Sequence, residues 1–168
     1  EVTFEVEEQS FTTKVKFEVP DLKISSVTNP NGGQIAIAFN QPIKLDAELN
    51  TAAINKIVTV TGIDRLGQVQ LLKGQLSEDK RTLTVTTNAT TGLEGRYRVV
   101  VDGIESVTAK KLNKYDDIAT FVADKTAPGV LKVENVAATK VKVIFTEPVI
   151  NPIGITQFKL ADGSVVSG

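Results

Sequence analysis

Any chemistry in this chain has to come from carboxylates, lysines, hydroxyls and two tyrosines, because its 168 residues include no His, Cys, Met or Trp. Without imidazole or thiolate there is no Ser-His-Asp or Cys-His arrangement and no histidine base. Zinc and the other transition metals lose their usual ligands for the same reason. The oxygen donors that remain suit a hard cation. Asp21, Asp102, the pair Asp116-Asp117 and the linker acid Asp124 are the best calcium ligands available, calcium taking about six to eight oxygens. They do not follow the Asp-x-Asp-x-Asp-Gly spacing of a calcium loop, so spacing lends no support and solvated loop carboxylates are the plainer reading. Paired carboxylates for glycoside hydrolysis would need a cleft and stacking aromatics. The seven Phe and two Tyr fall mostly on apolar strand faces, where packing is their use. No enzymatic activity and no resident cofactor are expected.

The elements that would carry these residues are strands. Phe11, Val15, Phe17 and Val19 alternate with Lys14, Lys16 and Glu18, the two-residue period of a half-buried strand, and Val2–Val6 is a shorter one. Strands are expected at Leu22–Val27, Gln34–Phe39, Ile57–Thr61, Val69–Leu76, Thr82–Thr86, Arg96–Val101 and Ala119–Ala123. They are rich in β-branched residues, as a pleated surface favours. Turn residues separate them at Asn29-Pro30-Asn31-Gly32-Gly33, Ser77-Glu78-Asp79-Lys80 and Thr91-Gly92. One helix of about two turns is expected over Leu49–Lys56, where Ala52, Ala53 and Ile54 interrupt the alternation. The fold class is therefore all-β, and the spacing of strands and turns points to a β-sandwich. Tyr97, near the start of a strand, is expected to fill the core.

Part of this pattern occurs twice. Leu22-Lys23-Ile24-Ser25-Ser26-Val27 aligns with Leu131-Lys132-Val133-Glu134-Asn135-Val136, an offset of 109. Gln34 to Ile43 aligns with Lys140 to Val149 at an offset of 106, which implies a loop three residues shorter in the second copy. Ordered agreement over two strands and a turn signals tandem units. Pro42 and Pro148 stand where a strand must stop pairing, since proline cannot donate to a ladder. Val19-Pro20-Asp21 and Asp124-Lys125-Thr126-Ala127-Pro128 are short Pro-containing linkers that restrict the angle between neighbours. Residues 1–19 then form the closing strands of a preceding module, residues 20–125 a complete one, and residues 126–168 the first part of the next. The natural molecule is expected to continue past Gly168.

Composition narrows the partners. Hydrophobic residues make up 41% and charged residues 23%, which suits a packed fold. Net charge is −1 and no basic run exceeds two residues, so the basic stripe of a nucleic-acid binder is missing. No stretch approaches the roughly 18 apolar residues of a membrane span. The absence of oxidisable sulfur suits life outside the cell. Asn88-Ala89-Thr90 matches an N-glycosylation sequon. Lys110-Lys111-Leu112-Asn113-Lys114 reads as a solvated loop able to meet Asp116-Asp117 of a neighbouring molecule.

The segments Ile35-Ala36-Ile37-Ala38-Phe39-Asn40-Gln41-Pro42-Ile43 and Gly74 to Val85, the strand Leu93-Glu94-Gly95-Arg96-Tyr97-Arg98-Val99-Val100-Val101 and the opener Asp124 to Pro128 together resemble the bacterial immunoglobulin-like domains of surface-layer (S-layer) proteins from Gram-positive bacilli. The resemblance covers residues 20–125 well and 126–160 in part. It implies immunoglobulin-like modules in tandem and a structural role in a self-assembling two-dimensional lattice at the cell surface. Other copies of the same protein would be partners, and wall attachment would lie in modules outside this chain. It also raises the expectation of calcium. A surface adhesin or carbohydrate-binding module, with an exposed aromatic row, and a spacer in a secreted hydrolase are the alternatives.

Overall fold

A computed structural model describes the chain except residues 1, 7–8, 14–17, 66, 90–91, 138–139, 148, 150–156, 160–164 and 168, and describes side chains between residues 18 and 149. Among these residues the architecture is antiparallel β with one short helix. In chain order the elements are β1 (Val2–Val6), β2 (Gln9–Thr13), β3 (Ile24–Asn31), β4 (Gln34–Phe39), β5 (Glu48–Leu49), α1 (Thr51–Ile57), β6 (Val58–Gly62), β7 (Gly67–Gln68) and β8 (Leu71–Leu76). They continue with β9 (Thr82–Thr87), β10 (Gly95–Val101), β11 (Tyr115–Phe121), β12 (Val130–Ala137), β13 (Lys140–Phe145), β14 (Gln157–Lys159) and β15 (Val165–Ser167).

Two sheets enclose one core. The first has the order β3-β4-β9-β8-β5 and the second β11-β10-β6-β7. Alternation sends Ile35, Ile37 and Phe39 of β4 inward beside Leu83 and Val85 of β9. Val58 and Val60 of β6, Val99 and Val101 of β10, and Ala119 and Phe121 of β11 join the same buried cluster from the other sheet. Full burial of each large aliphatic chain is worth about 1.5–3 kcal/mol, so this shared core stands in for the disulfides the chain lacks. Tyr97 belongs to it, as expected, with its ring stacked on Phe121 at 5.2 Å between centroids.

The helix is held from outside itself. Asn50 caps it, its side-chain oxygen accepting from the Ala53 N–H at 2.9 Å. Seven residues are too few to be helical alone. The fully buried Ile54 fixes it against Gly74 of β8, where an added Cβ would lie 3.0 Å from Ile54 Cδ1. Val58 then returns to extended backbone and begins β6.

Several expected boundaries move. β3 runs on through Asn29-Pro30-Asn31, which the sequence reading gave to a turn, leaving the turn itself to Gly32-Gly33. β11 starts at Tyr115, four residues before the expected Ala119, because an edge strand facing water tolerates Asp116 and Asp117. β2 ends at Thr13; part of the strand expected through Val19 lies outside the described residues, and Glu18 and Val19 are not in a strand. Pro42 follows β4 into an isolated bridge between Ile43 and Ser106, the expected strand-ending bend, whereas Pro148 lies outside the described residues.

The duplicated segments form matching hairpins, but not in the alignment their letters suggest. In β3–β4 the register pairs Ile24 with Phe39, Ser26 with Ala38, Val27 with Ile37 and Thr28 with Ala36. In β12–β13 it pairs Val130 with Phe145, Lys132 with Ile144, Val133 with Val143 and Glu134 with Lys142. One offset, 106, relates these pairs, and each hairpin breaks register twice: first at Ser25 or Leu131, and again next to the turn, before Asn31 or Ala137. The three-residue gap disappears. A bulge adds one residue to a strand and inverts its alternation beyond that point, so matching the leucines displaces the strand. Leu22 is buried ahead of β3, whereas Leu131 occupies the bulge and is exposed.

A clasp at the base is also repeated. The Lys23 N–H donates to Asn40 Oδ1 at 2.8 Å and the Asn40 N–H to the Lys23 carbonyl at 3.0 Å. At the same offset, the Gly129 N–H donates to Thr146 Oγ1 and the Thr146 N–H to the Gly129 carbonyl, both at 2.9 Å.

Candidate functional site

The five candidate calcium ligands occupy separate places. Asp21 lies 3.7 Å from Lys110 Nζ at the start of the two-sheet body. Asp102 accepts the N–H of Gly103 in the loop after β10. Asp116 binds Arg98 through both oxygens at 2.6 Å, and this pairing holds its carboxyl below the ordinary value. Asp117, one residue on, falls on the opposite side of β11 beside Tyr115, whose hydroxyl is raised by burial first and by the Asp117 charge second. Asp124 sits at the far end, after β11. Among the described residues no group of three His, Cys, Asp or Glu side chains is placed to hold a metal ion.

The expected contact loop is partly committed within the chain. Lys110 pairs with Asp21, the Lys111 backbone forms an isolated β-bridge with Glu105, and Leu112 is buried. Asp116, proposed as its target on a neighbour, is taken up by Arg98. A second exposed pair, Arg96 with Asp64 at 2.7 Å, lies on the same strand. The sequon residue Asn88 bonds Gln70 through its side chain at 2.8 Å.

The structure brings together a set of polar groups that sequence reasoning had not joined. It lies where the two-sheet body meets the β12–β13 hairpin. Asp124 Oδ1 accepts the Thr126 N–H at 2.9 Å and Oδ2 the Gly32 N–H at 3.3 Å. From the end of β13, Glu147 lines the same cleft as Asp124. The Thr126 N–H, first among several hydrogen bonds, lowers Asp124, whereas partial burial and then Asp124 raise Glu147. Pro30, Asn31, Gln34, Thr126 and Thr146 complete a shallow cleft of about 370 Å³. The signal for it was the alignment of Gln41 with Glu147.

At the opposite end Gln41 is 6% exposed. Its amide donates to the Pro20 carbonyl at 2.9 Å and its oxygen accepts from Thr108 at 2.9 Å, with Ser106 bonded to Thr108. Both ends of the body are thus tied to the chain that enters and leaves it.

The surfaces differ in character. Outward positions of β3, β4 and β9 carry Ser26, Thr28, Ala36, Ala38, Thr82 and Thr84, a small uncharged set, whereas β5 and β8 expose Glu48, Lys73 and Gln75. Among the described side chains, Phe39, Tyr97 and Phe121 are buried and Tyr115 and Phe145 half-buried, so the exposed aromatic row of a carbohydrate-binding module is not found there. The largest exposed apolar group is on β12–β13, where Val130, Leu131, Val133 and Val141 are each more than half exposed. No helix among the described residues is long and apolar enough to cross a membrane.

The fold is similar to solved structures of surface-layer proteins. Against the S-layer protein rSbsC(31-844) the TM-score is 0.52 at 19% identity, over 88% of this chain and 19% of that one. The N-terminal part of the bacterial S-layer protein SbsC gives 0.52 at 18% identity, over 89% of this chain and 33% of that one. Domains 1–6 of surface layer protein SbsC give 0.53 at 18% identity, over 88% and 19% respectively. At such identity the likeness is one of fold, and this chain spans a third or less of those proteins. No family model and no curated protein matches the chain.

Proposed function

We propose that this chain is a structural segment of a self-assembling bacterial surface layer, its units spacing and joining the lattice without doing chemistry. In this reading the two-sheet body is an immunoglobulin-like β-sandwich module over residues 20–125. Residues 126–168 begin the next module, and residues 1–19 close a preceding one. The observation that carries it is the repeated hairpin, with the same register, the same two register breaks and the same clasp, in a chain folded like S-layer proteins.

The apolar face of β12–β13, on which Val141 is exposed and Val143 and Phe145 are half-buried, supports the tandem arrangement. Val141, Val143 and Phe145 match Ile35, Ile37 and Phe39, which are 0%, 0% and 3% exposed beneath the second sheet. An apolar face of this kind needs a covering layer, and strands following β13 would supply it as β6, β10 and β11 do for β3–β4.

The partners are other copies of the protein at the cell surface, with wall attachment in segments outside these residues. Electron microscopy of the protein containing this chain, in buffer with and without calcium, tests the reading. A periodic sheet is expected, and dispersed monomers under every condition would overturn it. The two buffers also test calcium binding by Asp21, Asp102, Asp116, Asp117 and Asp124.

A further inference from the structure

At the common offset of 106, Glu147 is the counterpart of Gln41. The two side chains stand at successive junctions. Gln41 reaches back to the linker ahead of its hairpin, donating to the Pro20 carbonyl. Glu147 faces the linker ahead of its own, sharing one cleft with Asp124 and Thr126. An amide always carries a proton to donate, but a carboxyl group carries one only when protonated.

We propose that Asp124 and Glu147 form a proton-dependent latch between the two-sheet body and the β12–β13 hairpin, closed when they share one proton and released when both are ionised. Asp124 is the fixed half, since the Thr126 and Gly32 N–H groups already hold it as the anion. Glu147 is the moving half, since a neutral Glu147 donates to Asp124 and an ionised one repels it. The β3–β4 turn presents Pro30, Asn31, Gly32 and Gln34 to this cleft, none of them titratable. The linker adds Asp124 and Thr126, with the Lys125 side chain exposed, and β13 adds Thr146 and Glu147. No cation is among the causes that shift either carboxyl.

The two shifts run in opposite directions, as one shared proton requires. Glu147, raised from 4.5, contributes to the closed form below that value, and the contribution is lost as pH rises through its folded value. Asp124, lowered from 3.8, contributes above that value and fails only as pH falls through its folded value. The latch is therefore closed between the two folded values and opens as pH rises through the folded value of Glu147. It depends on the junction alone and not on the lattice reading.

A chain without cysteine takes spin labels cleanly at Glu78→Cys on the body and Lys140→Cys on the hairpin. Their distance distribution would be measured from about pH 4 to about pH 8, across the carboxyl range, in the parent chain and in Glu147→Gln. The expected result is a narrow distribution that broadens as pH rises in the parent and stays narrow throughout in the variant, which copies Gln41. A parent distribution that does not change with pH, or a variant that broadens just as the parent does, overturns the latch. Far-UV circular dichroism, unchanged in the variant, separates either outcome from unfolding.

Discussion

Asn29 and Val122 hold each other twice, the Asn29 amide donating to the Val122 carbonyl at 2.6 Å and its oxygen accepting the Val122 N–H at 3.2 Å. One side chain on β3 thereby completes the end of β11 and ties the two sheets at the point where the chain leaves the body. Net worth per hydrogen bond is about 0.5–1.5 kcal/mol, so Asn29→Ala is expected to cost about 1–2 kcal/mol in urea unfolding. Asn29→Asp, which keeps the acceptor and loses the donor, should fall between the two.

The repeated hairpin sets up a paired comparison. Ile37 and Val143 are counterparts, one fully buried and the other partly covered. Ile37→Ala is expected to destabilise the body by about 2–5 kcal/mol through transfer and cavity terms. Val143→Ala in this chain should change the same transition by less than about 1 kcal/mol. Equal costs would mean that β12–β13 packs into the core.

The short helix gives a second packing test. Gly74 leaves room for Ile54, and a methyl group there would meet Ile54 Cδ1 at 3.0 Å and Leu83 Cδ1 at 3.3 Å. Gly74→Ala is expected to cost about 1–3 kcal/mol by overpacking. Asn50→Ala removes the cap and should cost about 1 kcal/mol. Thermal unfolding of each variant reads both effects.

Acid should weaken the body through its exposed ion pairs. Asp64 and Asp116 are lowered from 3.8, chiefly by hydrogen bonds from Arg96 and Arg98. Their contribution is present above 3.8 and lost as pH falls through the lowered values. Asp64→Asn should therefore flatten part of the decline in stability below about pH 4, seen in urea midpoints against pH. Added salt should shrink the difference, because both partners are exposed.

Much of the fold was legible wherever one face of an element is wet and the other dry. Gln34–Phe39 alternates in sequence and in burial, and the helix expected over Leu49–Lys56 forms at Thr51–Ile57. Register was not legible at the bulges. Ser25 and Leu131 hold the same backbone position and share no chemistry, since a bulge is a backbone conformation that many side chains accept. Tyr115-Asp116-Asp117 looked like a loop because an edge strand carries charge on both sides. Asp124 was visible as an acid, but Glu147 lies 23 residues away and only the second hairpin brings it to the same cleft.

The placement of β3 has a mechanical consequence. The chain enters this strand beside Pro20 and Gln41, and leaves the body at Val122 to Asp124, beside Asn29 and Gly32 at the strand's other end. Eight residues at about 3.3 Å each put roughly 26 Å between the two attachment points. A pull on the flanking segments therefore runs lengthwise along β3, loading its ladder to β4 in shear. Bonds loaded that way must give together, whereas those of a peeled hairpin open one at a time. Tension in the chain is borne by the whole ladder at once.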